Sequence, residues 1–404
     1  MSEEHPSSAG RELNVLLVSH CDFQGNSALH VLAVANQIFA RGYSPAICVP
    51  DDVRTIDDLG RPQFPILGFA AAEQPPIRFP DGRGPNLVHA FTPREHVRQL
   101  TQSVVSRYDC PYIVHLEDNE KVILADSIGE EAFEQIGALP LATSDAIVGP
   151  RRSHPVRAAS FLEGAAGVTA VLDTLLEFKP HSIPGAVFWP GFDQAVMNLP
   201  ENVSDLRSEL RIAPDDFVLV YTGNIHASNL AEVRALYVAV GALRDAGHRV
   251  TLVKTGWNHV RMRWVKKSGL HKAVRDLGFV PRERVWDVLA IADALVQPGG
   301  PNAFNNYRFP SKLPDFLASG KPVILPATNI GRYLKDEVDA LLLEDGGAEE
   351  IFDAVQRLMA DPQLAQRLGV NGKDFALREL RWSKNVESIF ALYEDVGAKA
   401  SLPT

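Results

Sequence analysis

The stretch RFPSKLPDFLASGKPVI, Arg308 to Ile324, sets two cations, Arg308 and Lys312, beside a single carboxylate, Asp315. Ser311 is placed to cap a short helix, Pro314 falls in its first turn, where a missing N–H is tolerated, and Gly320 is a fitting terminator. Leu313, Phe316 and Leu317 form an apolar stripe at helical spacing. At ~100° per residue Asp315 lies roughly 150° from the centre of that stripe and Lys312 about 90° from it. Asp315 then points away from the core, near a helix N-terminus that attracts anions. It either complements the helix dipole on a solvated surface or meets a ligand, and the cations either hold an anion or pair with surface acids. A second concentration of chemistry is PYIVHLEDNE, which ends a strand with His115, Glu117, Asp118 and Glu120 clustered. Carboxyl ends of parallel strands face the ligand crevice, so His115 and Asp118 are candidate catalytic groups. The two make an incomplete metal-ligand set, and no metal is expected. His89, at the end of NLVHAF, reads as a packed histidine.

Elements that alternate between strand and helix must position these groups. LNVLLVS, from Leu13, is a buried-strand run; Ser27 is placed to cap a helix carrying Leu32, Ala35, Ile38 and Phe39, which ends near Gly42. SPAICVP, NLVHAF, PYIVHL and GVTAVL supply further strands, and 69–85, rich in Gly and Pro, reads as a long irregular loop. Strands separated by helices imply right-handed crossovers and a parallel sheet. Around FKPHSIPGAVFWPGFD the pattern breaks into prolines and a linker is expected. A second alternating half begins with FVLVYTGN, with Ser228 placed to cap the helix of Leu230, Val233, Tyr237 and Val240. VTLVKTG, DALVQP, PVILPA and ALLLED follow, and helices from Ala348 and Val386 close the chain. The expected fold class is α/β with two Rossmann-like domains and a cleft between them. The expected divisions are a disordered tail at 1–12, domains at 13–195 and 205–380, and a closing helix at 384–397 packing back on the first domain.

Composition narrows the classes. With 404 residues, 46% hydrophobic and 22% charged, the chain is ordinary globular protein with material for two or three domains. A formal charge of −10 argues against general nucleic-acid binding, which demands a basic face. Three cysteines, Cys21, Cys48 and Cys110, are odd in number and widely spaced, as in a reduced, cytoplasmic protein. The opening MSEEHPSSAGRE lacks the order of a signal peptide, and no apolar run approaches the ~20 residues of a membrane span. No G-x-G-x-x-G follows the first strand, and neither a P-loop nor a G-x-S-x-G elbow occurs, which disfavours dinucleotide oxidoreductases, P-loop NTPases and esterases. The basic run RMRWVKKSGLHKAVR, 261–275, either is a solvated helix face or makes weak contact with anionic lipid or an acidic partner.

GFVPRERVWDVLAIADALVQP, NNYRFPSKLPDFLASGKPVILPA and ALLLEDGGAEEIFDAVQRLMADPQLAQRLGVNGKDFA, in that order, resemble the carboxyl-terminal domain of the family 4 retaining glycosyltransferases. HCDFQGNSALHVLAVANQIFARG agrees more loosely with the amino-terminal half of that family, and WPGFD resembles its interdomain P-x-G-x-D. The resemblance implies the GT-B fold and a nucleotide-diphosphate sugar donor, UDP or GDP, with a hydroxyl acceptor on a glycan, lipid or small molecule. The amino-terminal domain would take the acceptor and the carboxyl-terminal domain the donor. Of the family's two glutamates eight positions apart, Asp315 falls at the second, implying contact with the ribose hydroxyls, and Tyr307 stands at the first. Where the family places Arg and then Lys for the diphosphate, this chain has Asn224 and Asn229. Arg308 and Lys312 are the replacements, with Ser311, Asn306, Tyr307, Asn224 and the backbone near Gly223 completing the donor site. Gly25 and Asn26 would let backbone approach the donor phosphate, or simply make a strand-to-helix turn. The departures leave two rivals: a GT-B-shaped scaffold without transfer activity, and a nucleotide-sugar epimerase or hydrolase on the same fold.

Overall fold

The computed structural model describes residues 13–74, 76–267 and 269–399, so the expected tail at 1–12 lies outside the described residues. The chain divides into one unit of 1–188 with 386–404 and a second of 189–385. Each is built on a parallel sheet. In the first unit β1 (Asn14–Val18), β2 (Ser44–Val49), β3 (Ile66–Gly68), β4 (Leu87–Phe91), β5 (Tyr112–Leu116), β6 (Gly167–Ala170) and β7 (Gly185–Val187) run in the order β3-β2-β1-β4-β5-β6-β7. In the second, β8 (Phe217–Thr222), β9 (Val250–Thr255), β10 (Val274–Asp276), β11 (Ala294–Val296), β12 (Val323–Pro326) and β13 (Leu341–Leu343) run β10-β9-β8-β11-β12-β13. Every pairing within both sheets is parallel. The fold is therefore α/β with two Rossmann-like domains. Continuous apolar runs such as NVLLV, buried at all five positions, are what a sheet covered by helices on both faces requires.

Both sheets grow outward from a central pair, β1/β4 and β8/β11, where the chain reverses its direction of winding. At such switch points the crossovers depart to opposite sides and leave a crevice at the carboxyl ends.

Several local expectations are corrected. The helix Asn26–Ala40 starts after Gly25, and Ser27, buried, makes no cap. Ser228 does not cap either: Asn229 accepts from His226 N–H at 2.8 Å just before the helix Leu230–Asp245. Between 178 and 193 the chain still forms β7, and the division falls at 188/189 rather than 195. The reason is that Trp189 and Phe192 are tied to the second unit: Asn385 Nδ2 donates to Trp189 O at 2.9 Å, and Phe192 N–H to Leu380 O at 3.0 Å. The loop at 69–85 opens with one helical turn, Phe69–Ala72. The basic run at 261–275 is broken into the helix Arg263–Lys267, a short turn and the edge strand β10. Among the described residues no helix is long and apolar enough to cross a membrane. The closing helix Glu387–Lys399 lies in the first unit, where Ser388 Oγ donates to Val187 O at 2.8 Å and Arg41 pairs with Glu387.

The helix that bears Lys312 and Asp315 is short, Leu313–Ala318, and owes its position to packing. Leu313, Phe316 and Leu317 are at most 1% exposed, and Gly320 ends the helix at φ +77°. The long helix Pro362–Glu379 packs across it, with Gly369 against the Gly320 carbonyl; a methyl group at 369 would stand 2.1 Å from that oxygen. Gly369→Ala should therefore overpack this contact and destabilise the protein by about 1–3 kcal/mol. An unchanged melting temperature in thermal denaturation would show that the contact does not hold the helix.

Candidate functional site

The second unit brings its polar groups together at the carboxyl edge of the β8/β11 switch point. β8 runs out into Gly223 and Asn224, and β11 into Gln297. Lys312 Nζ donates to Gln297 Oε1 at 2.8 Å and lies 4.8 Å from the centroid of the Tyr221 ring. A side chain at 223 would begin 2.8 Å from Lys312 Nζ, so glycine there leaves the ammonium its room. Burial pulls the Lys312 pKa down to about 7, Arg308 nearby pushes the same way, and Glu232 opposes them. Its hydrogen bond goes to a neutral amide. Lys312 is half-buried by area, and an ammonium desolvated to that degree gains electrostatically from an incoming anion.

Arg308 is held differently. Its Nη2 donates to Glu232 Oε2 at 3.2 Å, its guanidinium sits 4.5 Å over the Phe304 ring, and its Nε is buried without a hydrogen bond. Glu232 also accepts from Asn305 Nδ2 at 2.6 Å. Burial pushes the Glu232 carboxyl up while Arg308 works against that shift. Glu232 is the residue the sequence reading missed. The available signal was an acid in the first turn of a helix that follows a strand's carboxyl end. What it pairs with, 76 positions away, is set by sheet topology alone.

The other expected donor residues sit as follows. Asn224 uses its side chain to accept from Trp257 N–H at 2.8 Å, and Asn229 Nδ2 donates to Asn224 O at 3.0 Å. Both asparagines therefore hold the loop in shape and do not stand in for a missing cation. Gly223 N–H donates to Thr255 O at 3.1 Å and Ile225 N–H to Trp257 O at 2.8 Å, so these two amides are already engaged. Asn306 Oδ1 accepts from Thr328 Oγ1 at 2.6 Å, and Tyr307 closes the short turn Asn305–Tyr307. Ser311 is half-buried and does not cap its helix, whose N-cap is Lys312. Asp315 is not a solvated surface group. One carboxylate oxygen accepts from Asp193 N–H at 2.7 Å, and Arg282 pairs with Asp193 at 2.8 Å. The side chain is half-buried by area, yet burial of its carboxyl pushes the pKa up to about 7 against the pull of that N–H and of Arg282.

In the first unit the expected catalytic histidine is corrected. His115 has no exposed surface: it stacks on Phe188 at 4.7 Å between ring centroids, and its Nδ1 shares a 2.8 Å hydrogen bond with Thr169 Oγ1. Burial pulls its pKa to about 4, so it is neutral at pH 7. It is the next-to-last residue of β5, still inside the sheet, and no substrate can touch it. His89 is packed beside it, joined to Thr169 Oγ1 at 2.8 Å and to Tyr393 of the closing helix at 2.7 Å. The edge of β5 presents Glu117 instead, buried, with Oε1 2.9 Å from His30 Nδ1. Burial disfavours the Glu117 carboxylate, but the His30 hydrogen bond holds its pKa below the ordinary range. Asp118 is half-buried near Arg94, which itself pairs with Glu120 at 3.0 Å. Gly25 is required for packing, since a side chain there would begin 2.5 Å from Cys21 Sγ; Asn26 is exposed. Among the described residues no group of three or more His, Cys, Asp or Glu is arranged to hold a metal ion.

Comparison with known proteins bears on the fold and on the second unit. Residues 216–361 match the family model of the glycosyl transferases group 1. A D-inositol 3-phosphate glycosyltransferase of Actinosynnema mirum is 27% identical over 215 residues, which is 50% of this chain and only half of that relative's own length. Among solved structures, Anabaena HepE in complex with UDP and glucose superposes with a TM-score of 0.71 at 15% identity, covering 95% of this chain and 100% of that one. Sucrose-phosphate synthase of Thermosynechococcus elongatus gives 0.67 at 15% identity, over 96% and 100% of the two chains. WaaG, a glycosyltransferase involved in lipopolysaccharide biosynthesis, gives 0.61 at 13% identity, over 94% and 98%. At such identities the likeness is one of fold. The chain thus has the GT-B fold, and residues 216–361 of its second unit match the glycosyl transferases group 1.

Proposed function

We propose that the protein is a retaining glycosyltransferase of the family 4 type, moving a sugar from a UDP- or GDP-sugar to a hydroxyl of a glycan, lipid or small molecule. The observation that carries this reading is the half-buried Lys312, its ammonium bonded to a neutral amide at the switch point of the second sheet, with Arg308 beside it. The group 1 match over 216–361 spans the strand before Gly223 and the helix of Lys312, and HepE, of the same fold, was crystallised with UDP and glucose. A cytoplasmic setting goes with three free cysteines.

In this reading the diphosphate lies against Lys312 and Arg308. As the bond from the anomeric carbon to the diphosphate oxygen lengthens, negative charge grows on the leaving group and positive charge on the sugar. Lys312 is already desolvated and in place, so its attraction rises with the developing charge without reorganisation. Arg308 is shared between Glu232 and the diphosphate, and Glu232 keeps the guanidinium aimed when no anion is present. The free oxygen of Asp315 is left for a ribose hydroxyl. On the first unit, Glu117 and Asp118, in place of the buried His115, face the acceptor. The proton of the attacking hydroxyl passes to the departing diphosphate oxygen, which keeps the sugar's configuration and needs no metal.

Three outcomes test this. Lys312→Met should lower turnover of the responsive UDP- or GDP-sugar by ~10²–10³, the usual loss for one preorganised donor. Turnover equal to the parent's would remove Lys312 from the mechanism. The pH dependence follows from its pKa of about 7 in the free protein, which a bound diphosphate raises. The affinity advantage of the parent over Lys312→Met should then be full below pH 7 and fall by up to about tenfold per unit above it. Taking that difference cancels titration of Asp315 and of the phosphate itself; a constant difference from pH 6 to 9 would contradict it. Finally, Arg308→Gln strands the buried Glu232 carboxylate and should destabilise the fold by about 3–5 kcal/mol, with much of the loss recovered in Arg308→Gln/Glu232→Gln. Equal denaturation midpoints for both variants would show that the pair is not coupled.

A further inference from the structure

Polar side chains form a continuous hydrogen-bonded chain through the core of the first unit. Tyr393 Oη, on the closing helix, lies 2.7 Å from His89 Nδ1 on β4, and His89 Nε2 lies 2.8 Å from Thr169 Oγ1 on β6. The same hydroxyl oxygen lies 2.8 Å from His115 Nδ1 on β5, and His115 Nε2 lies 3.9 Å from Glu117 Oε1. His89, Thr169 and His115 have no exposed surface and Tyr393 is 2% exposed, so the chain is sealed from water until it reaches Glu117. Polar groups are a costly way to fill a core, and the strands around these are otherwise apolar.

Proton counting fixes the direction of the chain. Burial keeps both imidazoles neutral at pH 7, so each carries one N–H, and each hydroxyl carries one O–H. Suppose His115 bore its proton on Nδ1. It would donate to Thr169, Thr169 to His89 Nε2, and His89 Nδ1 to Tyr393. The Tyr393 O–H would then lack an acceptor, since His89 is its one hydrogen-bond partner among the described residues. A bare His115 Nε2, buried without a hydrogen-bond partner, would also face the Glu117 carboxylate. In the opposite sense every proton has a place. Tyr393 O–H donates to His89 Nδ1, His89 Nε2–H to Thr169 Oγ1, and Thr169 O–H to His115 Nδ1, leaving His115 Nε2–H directed at the carboxylate. At 3.9 Å that contact is too long for a hydrogen bond, but in a dry site an N–H dipole attracts a carboxylate where a lone pair repels it. Glu117 is thus held from two sides, because His30 Nδ1, on the helix Asn26–Ala40, lies 2.9 Å from the same Oε1. The closing helix reaches that helix as well: Arg41, at its end, pairs with Glu387 and sits 3.9 Å over the Phe390 ring.

We propose that Tyr393, His89, Thr169 and His115 are positioning residues for Glu117, a one-way hydrogen-bond chain through which the closing helix sets the His115 tautomer and keeps the carboxylate aimed at the acceptor. The role in turnover rests on the reading above, in which Glu117 faces the acceptor; the direction of the chain does not. Which imidazole nitrogen bears the proton is set by the bond the other nitrogen makes, so each link passes its orientation to the next. The closing helix is then part of the support of the site and not only a cover for the sheet. A carboxylate fixed in this way only accepts hydrogen bonds, which suits an acceptor hydroxyl.

The direct test is nitrogen NMR of the full chain with isotope-labelled histidine at pH 7, where a protonated ring nitrogen and a bare one resonate far apart. Tyr393→Phe moves the bare Nδ1 signal of His89 and Thr169→Val that of His115, which assigns both rings. The chain requires the proton on Nε2 of each ring in the parent, and a proton on His115 Nδ1 overturns the proposal. Turnover of a panel of UDP- and GDP-sugars with hydroxyl acceptors is the second arm. Thr169→Val should lower kcat about fivefold or more, the scale of one lost hydrogen bond, with KM for the nucleotide-sugar changed by less than about twofold. Thr169→Ser keeps the hydroxyl and should recover most of the loss. A parental kcat in Thr169→Val overturns the positioning role and leaves the nucleotide-sugar reading standing. A loss that Thr169→Ser does not recover overturns it too, because packing would then be the cause. Should Thr169→Val not fold, Tyr393→Phe takes its place, with a fall in kcat of about twofold or more required and a parental value overturning the role. A parent that releases no UDP or GDP from any sugar of the panel overturns the nucleotide-sugar reading and the positioning role with it.

Discussion

A lysine ammonium packed against an aromatic ring, with a neutral amide as its partner, is the constraint around which the second unit is arranged. Lys312 is half-buried, its ammonium against the Tyr221 ring and bonded to Gln297, and its pKa near 7 records what that desolvation costs. Each neighbour serves this placement. β8 delivers Tyr221 and then Gly223, whose missing side chain leaves space; β11 delivers Gln297; and the short helix Leu313–Ala318 is fixed by its own buried stripe. The parallel sheet makes the convergence possible, because neighbouring strands at a switch point end side by side while their connections diverge.

Arg308 shows a second way of keeping a cation near the proposed anion site. It is paired with Glu232, both side chains at most 16% exposed, and such buried pairs add little to stability when compared with apolar packing. Their use is to hold geometry. With Glu232 beside it, the guanidinium stays aimed along the edge of the sheet, whereas Lys312 depends on desolvation for its readiness. The two cations therefore differ in kind, one compensated and one not. In the proposed reading that contrast gives Lys312 the larger share of attraction for a diphosphate.

Much of this fold was legible in the sequence, and the reasons for the failures are physical. β1, β2, β4, β5, β8 and β9 announce themselves as apolar runs because they are covered on both faces. β3, β7 and β10 were missed. All three are three-residue strands at the edge of a sheet, each with no fully buried position, and an edge strand needs no apolar run. At the site, Arg308 and Lys312 stood out because they share one short stretch, but Glu232 and Gln297 meet them only through the order of strands. Helical angles turned Asp315 away from its own core correctly, yet could not show that the segment at Asp193 lies there to receive it. For His115, the choice of residue at the end of β5 was two positions short: the imidazole is inside the sheet and Glu117 is at its edge.

The central claim is that the anion site of this protein is the carboxyl edge at β8 and β11, with Lys312 as its principal cation. A crystal structure with a bound nucleoside diphosphate measures this most directly. The account predicts that a phosphate oxygen lies within hydrogen-bond reach of Lys312 Nζ, at about 2.7–3.2 Å, beside Gly223. A diphosphate bound elsewhere, with Lys312 still bonded only to Gln297, would contradict it.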